Sequence, residues 1–180
     1  MADDGARPTG TPSIRMGEMA VAKEDGVLRT LLGSCIGLAL YDRKRKVGGL
    51  AHVVLPQSRG ETDKPGKFMD TAIPALFQDM KKLAGGAIEP TARVVGGANM
   101  FATEVVETIG VQNVEASERV LEALQIPIVG RHCGGDKGRR MSLDTATGLI
   151  IIEIVGSDPI ELPDQSHPRR APHGHARAHR

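Results

Sequence analysis

The sequence predicts an α/β fold, a sandwich of mixed or antiparallel sheet with helices packed on it. Three observations carry that prediction. Short apolar runs bounded by Gly, Pro and charged turns recur along the chain, so strands outnumber helices. Only two segments place apolar residues at helical spacing. The chain has 180 residues and no internal repeat, which favours one domain with room for a proper core.

The elements follow in order. Residues 1–13 are polar and rich in Gly, Pro and Thr, and are expected to be disordered, so the domain is placed at 14–163. "IRMGEMAVAK" (14–23) and "GVLRTLL" (26–32) read as strands. "CIGLALYD" (35–42), the charged turn "RKRK" and "VGGLAHVVLP" (47–56) read as a hairpin. In "KFMDTAIPALFQDMKKLAGG" (67–86), Phe68, Ala72, Leu76, Met80 and Leu83 recur at helical spacing and Gly85-Gly86 stop the helix. Pro74 is expected near its start, where it costs least, and Asp70 suits the helix dipole. "ARVVGGA" (92–98) is a strand running into a glycine loop. "NVEASERVLEALQ" (113–125) is the second helix, with Val114, Val120, Leu121 and Leu124 as its apolar face. "IPIVGRH", "GRRMSLD" and "GLIIIEIV" are further strands. Residues 164–180 carry four Arg, four of the six His and no large apolar side chain, so a disordered basic tail is expected there.

Composition removes several function classes. A net charge of +1 gives the whole chain no pull toward nucleic acid or an acidic membrane. Three Phe, one Tyr and no Trp leave nothing to build a base-stacking platform. Two cysteines make no disulfide framework, the N-terminus lacks an apolar signal core, and no apolar run is long enough to span a bilayer. A cytoplasmic protein with reduced thiols is expected, needing no metal and no other cofactor.

Cys35 and His52 then stand out. They lie seventeen residues apart on the two strands of the predicted hairpin, so they fall nearly opposite one another at its open end. Cross-strand neighbours of that kind have Cβ atoms roughly 4.5–5.5 Å apart. A free thiol has a pKa of about 8.5 and is a weak nucleophile until a base takes its proton. An imidazole can take that proton and then return it to a leaving group, and a third residue commonly orients the ring. Thr30, on the strand entering Gly33-Ser34, is the candidate for that third role. Main-chain N–H groups around Gly33, Ser34 and Cys35 could form an oxyanion hole. A single Cys with a single His in an apolar stretch is more often packing than catalysis. A zinc site is not expected, because His132 and Cys133 are adjacent and would point to opposite faces of a strand. "GGDKGRRMSLD" (134–144) reads either as an anion-binding nest with Arg139 and Arg140 or as a glycine-rich turn. "VVGGANMF" (94–101) reads as a loop whose glycines pack closely or line a cleft.

Six segments in order, "TLLGSCIGLALYD", "GGLAHVVLP", "KFMDTAIPALF", "GGANMF", "IGVQNV" and "GGDKGRRMSLDTATG", resemble the CheD family of chemoreceptor glutamine deamidases of bacterial and archaeal chemotaxis. The resemblance implies a cysteine nucleophile at Cys35, a histidine base at His52 and a threonine at Thr30, on a fold similar to that of toxin-type cysteine deamidases. It implies conversion of receptor glutamines to glutamates through a thioester, with Gly33 and Ser34 at the oxyanion. Gly96, Gly97, Asn99 and Arg139 are expected as walls for the substrate. Methyl-accepting chemoreceptor cytoplasmic domains are the implied partners, together with a CheC-type phosphatase in some bacteria; nucleic acid is not. Two alternatives remain: a binding module that tunes such a phosphatase, and a receptor glutamyl methylesterase using the same acyl chemistry. "GRHC" and the His/Arg-rich tail depart from the family pattern.

Overall fold

A computed structural model describes residues 13–60, 62–100 and 108–166. Two five-stranded sheets face each other, and two helices cover the outer side of one of them. The strands are β1 (Ser13–Ile14), β2 (Met19–Lys23), β3 (Val27–Leu32), β4 (Ile36–Asp42), β5 (Val47–Val53), β6 (Thr91–Gly96), β7 (Ile128–Cys133), β8 (Arg139–Asp144), β9 (Ile150–Ile154) and β10 (Ile160–Leu162). The helices are α1 (Met69–Ala84) and α2 (Ile109–Ala123). One sheet runs β1-β3-β8-β9-β10 and the other β2-β5-β4-β6-β7; both are mixed, through the parallel pairs β1·β3 and β6·β7.

Side-chain parity sorts the two cores. Ile36, Leu38 and Leu40 of β4 and Val47, Ala51 and Val53 of β5 pack beneath α1 and α2. Their alternates turn the other way, where Ala39 and Leu50 meet Leu28, Leu32, Met141 and Ile152 of the opposite sheet. β4 and β5 are buried at every position, because both of their faces are covered. His52 shares the parity of Leu50, so it faces the opposite sheet and not the helices. Thr30 shares the parity of Leu28 and Leu32 and faces it from the other side.

Several expectations need correcting. The predicted strand over 14–23 breaks into β1 and β2, because Arg15–Glu18 closes a turn with Gly17 at φ 77°, a value that glycine tolerates at no steric cost. Ser13 belongs to β1, and the Gln165 N–H donates to Val129 O. The tails expected to be disordered otherwise lie outside the described residues, in 1–12 and 167–180. Pro74 sits well inside α1, so one intrahelical bond is missing there; Gly85 ends the helix in a left-handed conformation as predicted. The α2 helix starts four residues earlier than predicted and buries a small-residue face of Gly110, Asn113, Ala116, Ser117 and Leu121, while Leu124 is exposed. Such a face lets α2 approach closely enough for Gly110 to lie against Gly97 O. No helix among the described residues is long and apolar enough to cross a membrane.

Candidate active site

The β4·β5 ladder pairs Ile36 with Val53 and Gly37 with His52, so Cys35 lies diagonal to His52 and not directly opposite it. The "RKRK" turn sets this offset. Cys35 stands one residue before β4, in a bend, which frees it from the ladder. Its loop is pinned by main-chain bonds to the segment after β6. Gly97 N–H donates to Cys35 O at 2.9 Å, and Ala98 N–H donates to Gly33 O at 3.0 Å. A planar trans peptide points its C=O and N–H in opposite directions, so the Ser34 N–H points away from Ala98.

The imidazole of His52 is held from both ends of its residue. Its main chain is clamped to the β1–β2 turn, with His52 N–H donating to Glu18 O (2.9 Å) and Gly17 N–H donating to His52 O (2.8 Å). Its ring reaches across the sandwich: Nδ1 lies 2.8 Å from Thr30 Oγ1, which lies 2.7 Å from Ile14 O. A hydroxyl has one proton and a carbonyl oxygen only accepts. Both contacts are satisfied when Thr30 donates to Ile14 O and accepts from the His52 Nδ1–H. The proton then sits on Nδ1, and the lone pair sits on Nε2, which is buried without a hydrogen-bond partner. Burial pushes the His52 imidazole below its ordinary value, an effect the Ile14 carbonyl and Glu18 offset only in part. Burial likewise pushes the Cys35 thiol up. Both shifts favour the uncharged forms, thiol and neutral imidazole.

Gly33, Ser34, Cys35 and His52 line one open cavity of about 510 Å³ at the end of the sandwich. Cys35 is 9% exposed and His52 is 4% exposed, so both sit at its floor. Its mouth carries three side chains not anticipated from sequence: Met16, Leu31 and Met100. One of them was visible in principle, since consecutive leucines at 31 and 32 in a strand must send one outward.

The four residues expected as substrate walls do not line this cavity. Gly96, at φ 114°, lies where a Cβ would come 2.2 Å from Cys35 O, so it supports the cysteine loop from behind. Gly97 supplies the N–H that holds Cys35 O. Asn99 N–H donates to Gly135 O at 2.8 Å, tying this loop to the next. Arg139 is 3% exposed and turns inward: Nη1 donates to His132 Nδ1 (2.7 Å) and His132 O (2.9 Å), while Nη2 donates to the carbonyls of Gly134 and Lys137. Its guanidinium holds its own loop, which is the glycine-rich-turn reading of 134–144 and not the anion nest. No cluster of three or more metal-ligating side chains occurs among the described residues.

Comparison with known proteins gives concordant results. The family described as CheD chemotactic sensory transduction matches residues 54–154, a stretch that begins after Thr30, Cys35 and His52. The chain is 42% identical over 141 residues to a probable chemoreceptor glutamine deamidase CheD of Methanococcus maripaludis, covering 77% of this chain and 92% of that protein. It is 40% identical over 144 residues to the chemoreceptor glutamine deamidase CheD of Thermotoga maritima, covering 79% and 91%. A probable chemoreceptor glutamine deamidase CheD of Clostridium tetani is 41% identical over 149 residues, covering 79% and 90%.

Proposed function

The chain belongs to the CheD family, and from that premise we propose that it is a chemoreceptor glutamine deamidase with Cys35 as nucleophile and His52 as proton carrier. The observation that carries the reading is the shared cavity. One free thiol and one imidazole nitrogen with an unengaged lone pair lie at its floor, and Thr30 fixes the tautomer. A packing pair has no need of a buried Nε2 left without a partner, which costs stability.

In the proposed mechanism a glutamine side chain enters the cavity. Its bulk excludes water from the floor. Cys35 Sγ attacks the amide carbon while its proton passes to His52 Nε2. The Ser34 N–H, directed away from β6, donates to the developing oxyanion. The imidazolium, steadied by Thr30, protonates the amide nitrogen. The C–N bond breaks, ammonia leaves and a thioester remains. Water then attacks the thioester, His52 takes its proton, and the thiol is restored as glutamate departs. Gly96 and Gly97 act here as supports that aim the cysteine loop. Arg139 acts as the brace of the loop beyond them.

The test is ammonia release and glutamine-to-glutamate conversion on a purified chemoreceptor cytoplasmic fragment, wild type beside Cys35→Ala. Conversion by wild type alone is expected. Conversion by both would overturn the mechanism. Methanol release from a methylated fragment without ammonia release would make the enzyme an esterase built on the same chemistry.

A further inference from the structure

Nine large hydrophobic side chains are exposed among the described residues, and three of them, Met16, Leu31 and Met100, converge on the mouth of the cavity that holds Cys35. Single exposed apolar residues need no explanation, but a cluster at a functional opening does. They are 69%, 63% and 50% exposed, against 9% for the cysteine below them. They come from three separate segments: the β1–β2 turn, the outward face of β3, and the loop after β6. Met100 stands against the cysteine loop, its Sδ 2.7 Å from where a Cβ on Gly33 would be.

We infer that Met16, Leu31 and Met100 form an apolar collar that docks the helix carrying the target glutamine, gripping its apolar residues one turn to either side. The inference rests on the deamidase reading. Two features of the molecule support it. The first is reach. A glutamine amide carbon stands only two methylenes from its own Cα, so delivering it to a recessed thiol brings the substrate backbone down onto the rim. On a helix, the residues at three and four positions to either side then meet the rim before anything else does. A helix satisfies its own backbone and needs only side-chain contacts from its receptor, which an apolar collar supplies. The second is charge. Among the described residues that line the mouth, the charged side chain is Arg15, and it is paired with Glu18 by contacts of 2.8 and 3.0 Å, so that the pair carries no net charge. A neutral glutamine is accepted there. The glutamate product, carrying a new charge against apolar walls, is disfavoured and leaves. Two of the three side chains are methionines, whose flexible thioethers adapt to substrate helices of differing sequence.

The test measures binding and turnover separately. A helical chemoreceptor cytoplasmic fragment is titrated against Cys35→Ala enzyme, with and without Met16→Gln, Leu31→Gln and Met100→Gln together. Turnover is measured with the same three changes on the wild-type cysteine. We expect the dissociation constant and KM to rise at least tenfold, with the rate of Cys35 alkylation by iodoacetamide, read by peptide mass, changing less than threefold. Met16→Leu with Met100→Leu should restore binding to within threefold. If wild type converts the fragment and the collar changes alter neither constant, the collar is wrong and the deamidase reading stands. If wild type binds the fragment through the collar but converts nothing, the collar stands and the deamidase reading falls. If wild type neither binds nor converts the fragment, both fall.

Discussion

The molecule contains two cysteine–histidine neighbourhoods on either side of Gly96, and they differ in one respect that matters. Cys133 pairs with Gly96 in the β6·β7 ladder, while Cys35 O lies against the same glycine from the β4 side. Burial pushes both thiols up and both imidazoles, His52 and His132, down. Titration behaviour therefore does not separate them. Their partners do. The Cys133 thiol donates to Val94 O at 3.4 Å, and His132 Nδ1 accepts from Arg139 at 2.7 Å. Among the described residues His52 Nε2 has no such partner, and Cys35 and His52 both line a cavity that a substrate can enter. What sets the proposed pair apart is an unpartnered imidazole nitrogen at an opening, not a shifted proton affinity.

The comparison breaks or sharpens under four measurements. His52→Ala should lower kcat on a receptor fragment by about a thousandfold, the worth of a positioned acid–base group, whereas His132→Ala should stay within about threefold. Equal losses in the two variants would erase the distinction. Thr30→Val removes the hydroxyl that reads the tautomer. We expect a loss of about ten- to a hundredfold in kcat with KM unchanged. Unfolding in urea should show a loss of about 1–3 kcal/mol, because the buried Ile14 carbonyl and the His52 Nδ1–H lose their partner.

Stability against pH gives a smaller effect shared by both neighbourhoods. With both imidazoles held below their ordinary value, the unfolded chain takes up protons that the folded chain refuses. Stability is therefore whole above about pH 6.5 and declines as the pH falls below it, toward the lowered folded values. Urea midpoints from pH 5 to 8 should show that slope, and His52→Gln and His132→Gln should each flatten it in part. Cys133→Ala is expected to do least, with activity within about twofold and stability within about 1 kcal/mol, the net worth of one modest hydrogen bond.

Much of this site is local in sequence, which is why it could be read there. The hairpin follows from two apolar runs and a charged turn, and it alone brings Cys35 and His52 onto adjacent strands. Their offset is not legible in the sequence, because the centre of a four-residue turn does not fix the register. Thr30 is a candidate in the sequence, but its contact with His52 spans two sheets, and nothing within the β4·β5 hairpin dictates that β3 lies across from it. Arg139 misled for a related reason. Beside glycines, an arginine looks like an anion binder until tertiary structure shows its donors taken by His132, Gly134 and Lys137. The tight turn at Met16-Gly17 interrupts a segment, 14–23, whose spaced apolar residues read continuously as a strand.

The bridge from Thr30 to His52 also has a bearing on how the protein comes into being. β5 and its histidine belong to a sheet whose strands lie between residues 19 and 133, whereas β3 and its threonine are flanked by β1 and by β8, with Thr30 opposite Met141. Cys35 and His52 are thus synthesised early, but β8, the strand paired with Thr30, leaves the ribosome more than eighty residues after His52. Contacts of such long sequence separation form slowly and late. Nascent chains and C-terminally truncated products should carry the cysteine and histidine side by side with no fixed tautomer, and remain silent until the last sheet closes.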